Sequence, residues 1–235
     1  MKNKLKIASF LTRSTSKELI DRGYVHIKNL IEKEKLDLII NNCTNHDLNK
    51  FIKYDNDIRL FSVMKVVDND SKNFLLKKIK TLFNKNVLFG SFYTHYFMFN
   101  KILSGGIGSG GDWHRDSGYL NQYKLIIFLN GTNDKNGPFQ ILEDSFSFES
   151  ILNINKELGL KGSPTRFKHD QIIDLIKSNK SKYSIKSFHV NPGDAIFVNT
   201  RAIHRGKPPK IGGRLALTSY SYIKTPAHMH KLFNE

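Results

Sequence analysis

Residues 110–119 read GGDWHRDSGY, with a histidine, an arginine, a tryptophan and two aspartates inside positions 112–116. Three readings fit this spelling: a kinase catalytic loop, a metal site, or an ordinary turn into a strand. His114, Arg115 and Asp116, with Asn121 five residues after the aspartate, resemble a protein-kinase catalytic loop, and Gly106, Gly108 and Gly111 complete a GxGxxG pattern. A kinase keeps those two loops far apart, with a strand lysine and a helix glutamate between them. Here only two residues separate Gly111 from His114, and no DFG or APE follows. The glycines lead toward a strand and not into a helix N-terminus, which removes a dinucleotide fingerprint as well. Metal ligation and the plain turn remain. On an extended strand, side chains at i and i+2 share a face, so His114 and Asp116 aim together while Arg115 aims away.

An imidazole and a carboxylate on one face lack one partner. A second histidine would complete the two-histidine, one-carboxylate set that holds non-haem Fe(II) and leaves positions open for co-substrate and O₂. His204 is the candidate, and Arg214 follows ten residues later, after a turn rich in proline and glycine. A hairpin of that length is expected to bring His204 and Arg214 together on one wall of a barrel. A guanidinium receives a carboxylate through two parallel hydrogen bonds, which an ammonium cannot copy. That is what the distal carboxylate of 2-oxoglutarate requires while its keto-acid end chelates iron. His114, Asp116 and His204 are therefore the expected metal ligands and catalytic centre, with Fe(II), 2-oxoglutarate and O₂ as cofactor and co-substrates.

Further candidates surround this set. Tyr96 and Asn100 lie on the strand before the glycines, and Thr218 shares the face of Arg214 because 214, 216 and 218 alternate inward. Arg166, in GSPTRF, is a candidate for pairing with an anionic substrate. Trp113 points opposite to His114 and is assigned to the core. Of the remaining histidines, His26, His95 and His189 sit in strand-like segments and are expected to be packed or hydrogen-bonded. His228 and His230 are assigned to a solvated tail.

The elements that must position these residues change character along the chain. Residues 15–23, 32–46 and 71–84 carry helical spacing, and YVHIKNLI (24–31) alternates as a strand. From residue 87 onward the pattern is β: VLFGSFYTHYFMFNKIL, YKLIIFLNG, GPFQIL, YSIKSFHV, DAIFVN and RLALTSYSYI. Asn-Gly-Pro, Asn-Pro-Gly-Asp and Pro-Pro…Gly-Gly clusters punctuate them. Short strands at such spacing predict a sandwich or barrel. Residues 146–186 interrupt the series, with loop character and then a helix at 168–178. They are read as an insertion between strands.

Length and composition bound the rest. A chain of 235 residues suits one domain over 1–235, with 1–86 mostly helical support and 87–223 the β core. No apolar run approaches the ~20 residues of a membrane helix, and the first residues lack a secretory pattern. Cys43 is the single cysteine, so a reducing, cytoplasmic setting is expected. The net charge is +16, but 29 of the 37 basic residues are lysines spread along the chain, where a phosphate reader concentrates arginine. The charge is therefore read as serving solubility, not nucleic-acid binding, and the expected partner is a small molecule.

With these residues in view, the sequence resembles the phytanoyl-CoA dioxygenase-like branch of Fe(II)/2-oxoglutarate oxygenases. The resemblance runs through ELIDRGYVHIKNLIEKEKLDLI (18–39), WHRD, IIFLNGTNDKNGPFQILEDS (126–145) and NPGDAIFVNTRAIHRGKPPKIGGRLALTSYSY (191–222). It implies a mainly β fold with flanking helices, a double-stranded β-helix or cupin-like jelly roll. It also implies His114, Asp116 and His204 as iron ligands and Arg214 as the 2-oxoglutarate anchor. Asn130 falls where a polar residue often faces the family's pocket. Gly206 stands where the family often carries a serine. A carboxylate at Asp116, where a halogenase would have Gly or Ala, implies hydroxylation of a C–H bond. The alternatives are an oxygenase acting on nucleic acid or protein, and a metal-binding jelly roll without catalysis.

Overall fold

The structure, a computed structural model, describes residues 15–45, 52–54, 56–61, 63–86, 93–108, 110–117, 122–162, 164–179 and 182–222. The tail histidines His228 and His230, and the ends of the expected 1–235 domain, lie outside these residues.

The N-terminal part runs α1 (Thr15–Arg22), β1 (Tyr24–Ile27), α2 (Lys33–Thr44), β2 (Ile52–Tyr54), β3 (Asp57–Leu60), α3 (Val63–Val66) and α4 (Asn69–Asn86). α1 stops at Gly23, whose φ of +77° is the left-handed conformation that glycine adopts without a Cβ penalty. Next come β4 (Tyr93–Leu103), β5 (Trp113–His114), β6 (Gln122–Phe128), β7 (Phe139–Leu142), α5 (Phe148–Glu157), β8 (Arg166–Phe167) and α6 (His169–Ser178). β9 (Ile185–Phe188), β10 (Ala195–Asn199), β11 (His204–Gly206) and β12 (Gly213–Tyr222) complete the order.

The strands form two antiparallel sheets. The larger has seven strands in the order β1-β10-β6-β12-β4-β3-β2, and the smaller has five, β8-β5-β11-β7-β9. β4, β12, β6 and β10 face β5, β11, β7 and β9, which is the jelly roll the resemblance implied. The first 86 residues do more than support it with helices: β1 pairs with β10, and β2 and β3 extend the opposite edge.

Alternation along the long strands separates core from cavity. Phe97, Phe99, Leu125, Ile127 and Leu217 pack outward against Leu36 and Ile39 of α2 and Leu75 and Ile79 of α4. Those helix residues recur at spacings of three or four, which gives each helix one apolar stripe to bury. The alternate residues Met98, Asn100, Lys124, Ile126, Ala216 and Thr218 face the space between the sheets.

The outer face of the small sheet is covered by segment 146–186. Ile154 of α5 and Ile172 and Leu175 of α6 pack on Trp113, Leu142 and Ile203. α5 corrects the expectation of loop character here. Its asparagines and β-branched isoleucines give it weak intrinsic propensity. It is held by a cap, Ser150 N–H donating to Ser147 Oγ at 3.0 Å, and by its buried stripe of Ile151 and Ile154. Between the helices, β8 pairs with β5 and adds an edge strand to the small sheet. No helix among the described residues is long and apolar enough to cross a membrane.

Candidate active site

β5 and β11 are adjacent and antiparallel, with His204 directly opposite His114. The two rings lie 4.4 Å apart, centroid to centroid. Asp116 sits just beyond the two residues of β5, and its Oδ1 is 3.6 Å from His114 Nε2 and 3.9 Å from His204 Nε2. One ligand atom from each of the three residues lies within 4.8 Å of the others. Ninety positions of sequence thus close on one point.

The hydrogen bonds fix which nitrogen faces that point. His114 Nδ1 is 2.8 Å from the Asp112 carbonyl oxygen, and His204 Nδ1 is 2.8 Å from the Ala202 carbonyl oxygen. A carbonyl only accepts, so each Nδ1 carries the proton and each Nε2 keeps its lone pair. His204 Nε2 is buried with no hydrogen-bond partner among the described residues. Burial holds both imidazoles neutral, His114 down to about 3 and His204 to about 4. Burial pushes the Asp116 carboxyl up, but the charge and hydrogen bond of the Lys124 ammonium lead the opposing effects and it is held at about 2. Two neutral nitrogen donors and one carboxylate, converging with an otherwise orphaned Nε2, fit a divalent transition metal.

Lys124 is the residue that the motif does not reveal. Its Nζ lies 3.0 Å from Asp116 Oδ1 and 2.7 Å from Oδ2, and 4.9 Å from the centre of the Tyr220 ring. It projects from β6 in the opposite sheet, in register with Tyr220 of β12. A second unforeseen cation is Arg59 on β3, whose guanidinium donates to the buried carboxylate of Asp57. Both stand at inward positions of their strands. Alternation is the signal that would have found them.

His204 and Arg214 do not share a wall. β11 belongs to the small sheet and β12 to the large one, where Arg214 pairs with Ile102 of β4. The intervening turn crosses between sheets, so the two side chains face each other over the cavity. Arg214 is 5% exposed, and its Nη1 donates to the carbonyl oxygens of Gly137 and Lys207. Burial lowers its pKa to about 10, which still leaves it charged at neutral pH. A Cβ at Gly206 would overlap this guanidinium. The absence of a side chain at 206, where the resemblance led to a serine, is what makes room for it.

The other candidates divide. Asn100 and Thr218 are buried and line the cavity, although the Asn100 amide donates to Asp57. Arg166 lines it from β8, in register with His114. Tyr96 lies in β4, and its side chain is outside the described residues. Asn130 is a correction. It is exposed, its Nδ2 donates to the Gly213 carbonyl at 2.8 Å, and its Oδ1 accepts from Leu215 N–H at 2.8 Å. β6 ends at Phe128, so inward alternation stops before 130, and the side chain clamps the start of β12 instead. Trp113 is buried in the small-sheet core, where its Nε1 donates to His169 Nδ1 at 3.1 Å and Arg205 stacks on its ring.

Between the sheets these residues enclose a cavity of about 200 Å³. A jelly roll with neutral histidines and a carboxylate on one inner wall and a buried guanidinium on the other defines a metal-dependent oxygenase of the 2-oxo-acid type. The comparisons agree: the family model described as phytanoyl-CoA dioxygenase (PhyH) matches residues 20–210, and the chain belongs to that family. No curated protein matches the chain. Among solved structures, HygX from Streptomyces hygroscopicus, with nickel and 2-oxoglutarate bound, superposes with a TM-score of 0.64 at 13% identity, over 90% of this chain and 87% of its own. SnoK, an alpha-ketoglutarate-dependent carbocyclase from nogalamycin biosynthesis, gives 0.69 at 11% identity, over 95% and 92%. SnoN, an epimerase from the same biosynthesis, gives 0.63 at 11%, over 91% and 83%. At these identities the likeness is one of fold.

Proposed function

We propose that this chain is a single-domain Fe(II)- and 2-oxoglutarate-dependent dioxygenase that hydroxylates a C–H bond of a small molecule. The reaction consumes one O₂ and one 2-oxoglutarate and yields succinate, CO₂ and the alcohol. Bound iron would supply the oxygen activation. The protein supplies geometry and exclusion of water. The observation that carries this reading is the convergence of two Nε2 lone pairs and one carboxylate opposite a buried arginine.

Each residue then has a role. His114, Asp116 and His204 hold the metal, and the carbonyls of Asp112 and Ala202 orient the imidazoles through Nδ1. Lys124 keeps the Asp116 carboxylate ionised and turned toward the histidines. Arg214 receives the distal carboxylate of 2-oxoglutarate, oriented by the Gly137 and Lys207 carbonyls. Thr218 and Asn100 form the wall beside it. The relatives support a small-molecule substrate, since HygX has also been solved with hygromycin B bound. The sandwich interior, not the lysine-rich exterior, is where the substrate would react.

The test is calorimetric titration of 2-oxoglutarate into protein loaded with Ni(II), an inert stand-in for Fe(II). One equivalent should bind, and omission of the metal should abolish most of the affinity. Binding that ignores the metal would refute the reading.

A further inference from the structure

Among the described residues, the cavity wall carries four cationic side chains, Arg59, Lys124, Arg166 and Arg214, and one carboxylate, Asp116. Behind the wall, Asp57 accepts from Arg59 and offsets one more charge. Among the described residues, these four cations and two carboxylates leave a surplus of two positive charges. A divalent metal and dianionic 2-oxoglutarate cancel each other, so the surplus survives their arrival.

This surplus is not the chain's general basicity carried inward. Only 8 of the 37 basic residues are arginine, yet among the described residues three arginines line the cavity, against one lysine. Arginine is the side chain that suits fixed, partly desolvated recognition of an oxyanion. Arg214 faces the co-substrate, Lys124 bridges both oxygens of Asp116, and Arg59 is held by Asp57. Arg166 differs from them in position. It sits on the edge strand β8, opposite His114 in register, and is exposed where the others are buried or half-buried. Arg166 therefore joins the cavity lining beside the strand of His114, at its exposed side.

Resting on the oxygenase reading, we infer that the primary substrate is a small-molecule oxyanion, a carboxylate or a phosphate, and that Arg166 receives its charged group beside the metal centre. The residual positive field of the cavity draws the anion in. The Arg166 fork then fixes its orientation, which sets the C–H bond presented to the metal. The 146–186 segment acquires a function by this route: α5 and α6 pack on the small sheet and hold β8, and with it Arg166, against β5.

The test uses whole protein saturated with Ni(II) and 2-oxoglutarate. Inorganic phosphate and propionate are titrated as probes, with propionamide as the neutral match. The readout is paramagnetic broadening of the probe's NMR signals by the nickel ion, which registers only molecules held close to the metal. Wild type should broaden at least one anion saturably and leave propionamide unaffected, and the stronger of phosphate and propionate names the source of the charge. Arg166→Gln should weaken that binding by about 10- to 100-fold, the effect of losing a charge-assisted hydrogen bond. Arg166→Lys should retain part of it. Equal broadening by propionamide, or anion binding unchanged in Arg166→Gln, overturns the inference while leaving the oxygenase reading intact. Failure of wild type to take up Ni(II) and 2-oxoglutarate overturns both.

Discussion

The two walls of the cavity are built differently. The small sheet contributes the neutral imidazoles from β5 and β11, strands of two and three residues, and the carboxylate from just beyond β5. The large sheet contributes Lys124, Arg59 and Arg214, mostly from long strands with strict inward alternation. Short strands cannot place ligands by their own regularity. They depend on what lies behind them, the Trp113, Leu142 and Ile203 layer under α5 and α6. Long strands hold their side chains in place by register, β12 being paired along its length with β4 and β6. One wall thus assembles a metal centre by backing and backbone carbonyls, and the other presents charge by periodicity. The two meet where Lys124 touches Asp116.

Variants can separate the walls. His204→Ala removes a ligand, and metal affinity measured by competition with a chelator should fall by more than the roughly 10- to 100-fold typical of supporting residues. Arg214→Ala should leave metal affinity near wild type and weaken 2-oxoglutarate by about 30- to 1,000-fold, as expected for truncating one partner of a buried charged pair. Arg214→Lys should recover little, because an ammonium lacks the fork. If Arg214→Ala also lost the metal, the walls would not be separable. Lys124→Met tests one contact between them: metal affinity should fall by about 10- to 100-fold through Asp116, with the 2-oxoglutarate affinity of metal-saturated protein little changed. Asn130→Ala should cost only about 1 kcal/mol of stability in chemical denaturation, the value of an ordinary hydrogen bond, and should leave both affinities alone.

The same contrast explains what was legible in the sequence. His114 and Asp116 were readable as an i, i+2 pair, and Arg214 and Thr218 as alternate positions of a long strand. Lys124 and Arg59 obey the same alternation but were lost against a lysine-rich background in which one more cation attracts no notice. Asn130 was placed by resemblance alone; here β6 ends at Phe128 and Gly131 turns the chain at a φ of +68°, so the side chain is exposed and clamps β12. The hairpin expected between His204 and Arg214 was wrong for a topological reason. Turn residues announce a reversal, but they do not say whether the next strand returns to the same sheet or crosses to the other. α5 was hidden by residues of weak helix propensity whose helicity comes from packing on the small sheet. A sandwich or barrel was legible because strand spacing and turn chemistry repeat over the C-terminal half, and the family resemblance narrowed it to a jelly roll.

The central claim is that two sheets jointly bind one metal and one 2-oxo acid. The most direct measurement is anaerobic addition of Fe(II) and then 2-oxoglutarate to wild type, His204→Ala and Arg214→Ala, followed by the visible charge-transfer absorption of a 2-oxo acid chelated to ferrous iron. Wild type should develop the band at one equivalent of each, Arg214→Ala only at much higher 2-oxoglutarate, and His204→Ala not at all. A wild type without the band, or a His204→Ala protein that develops it at wild-type concentrations, would contradict the account.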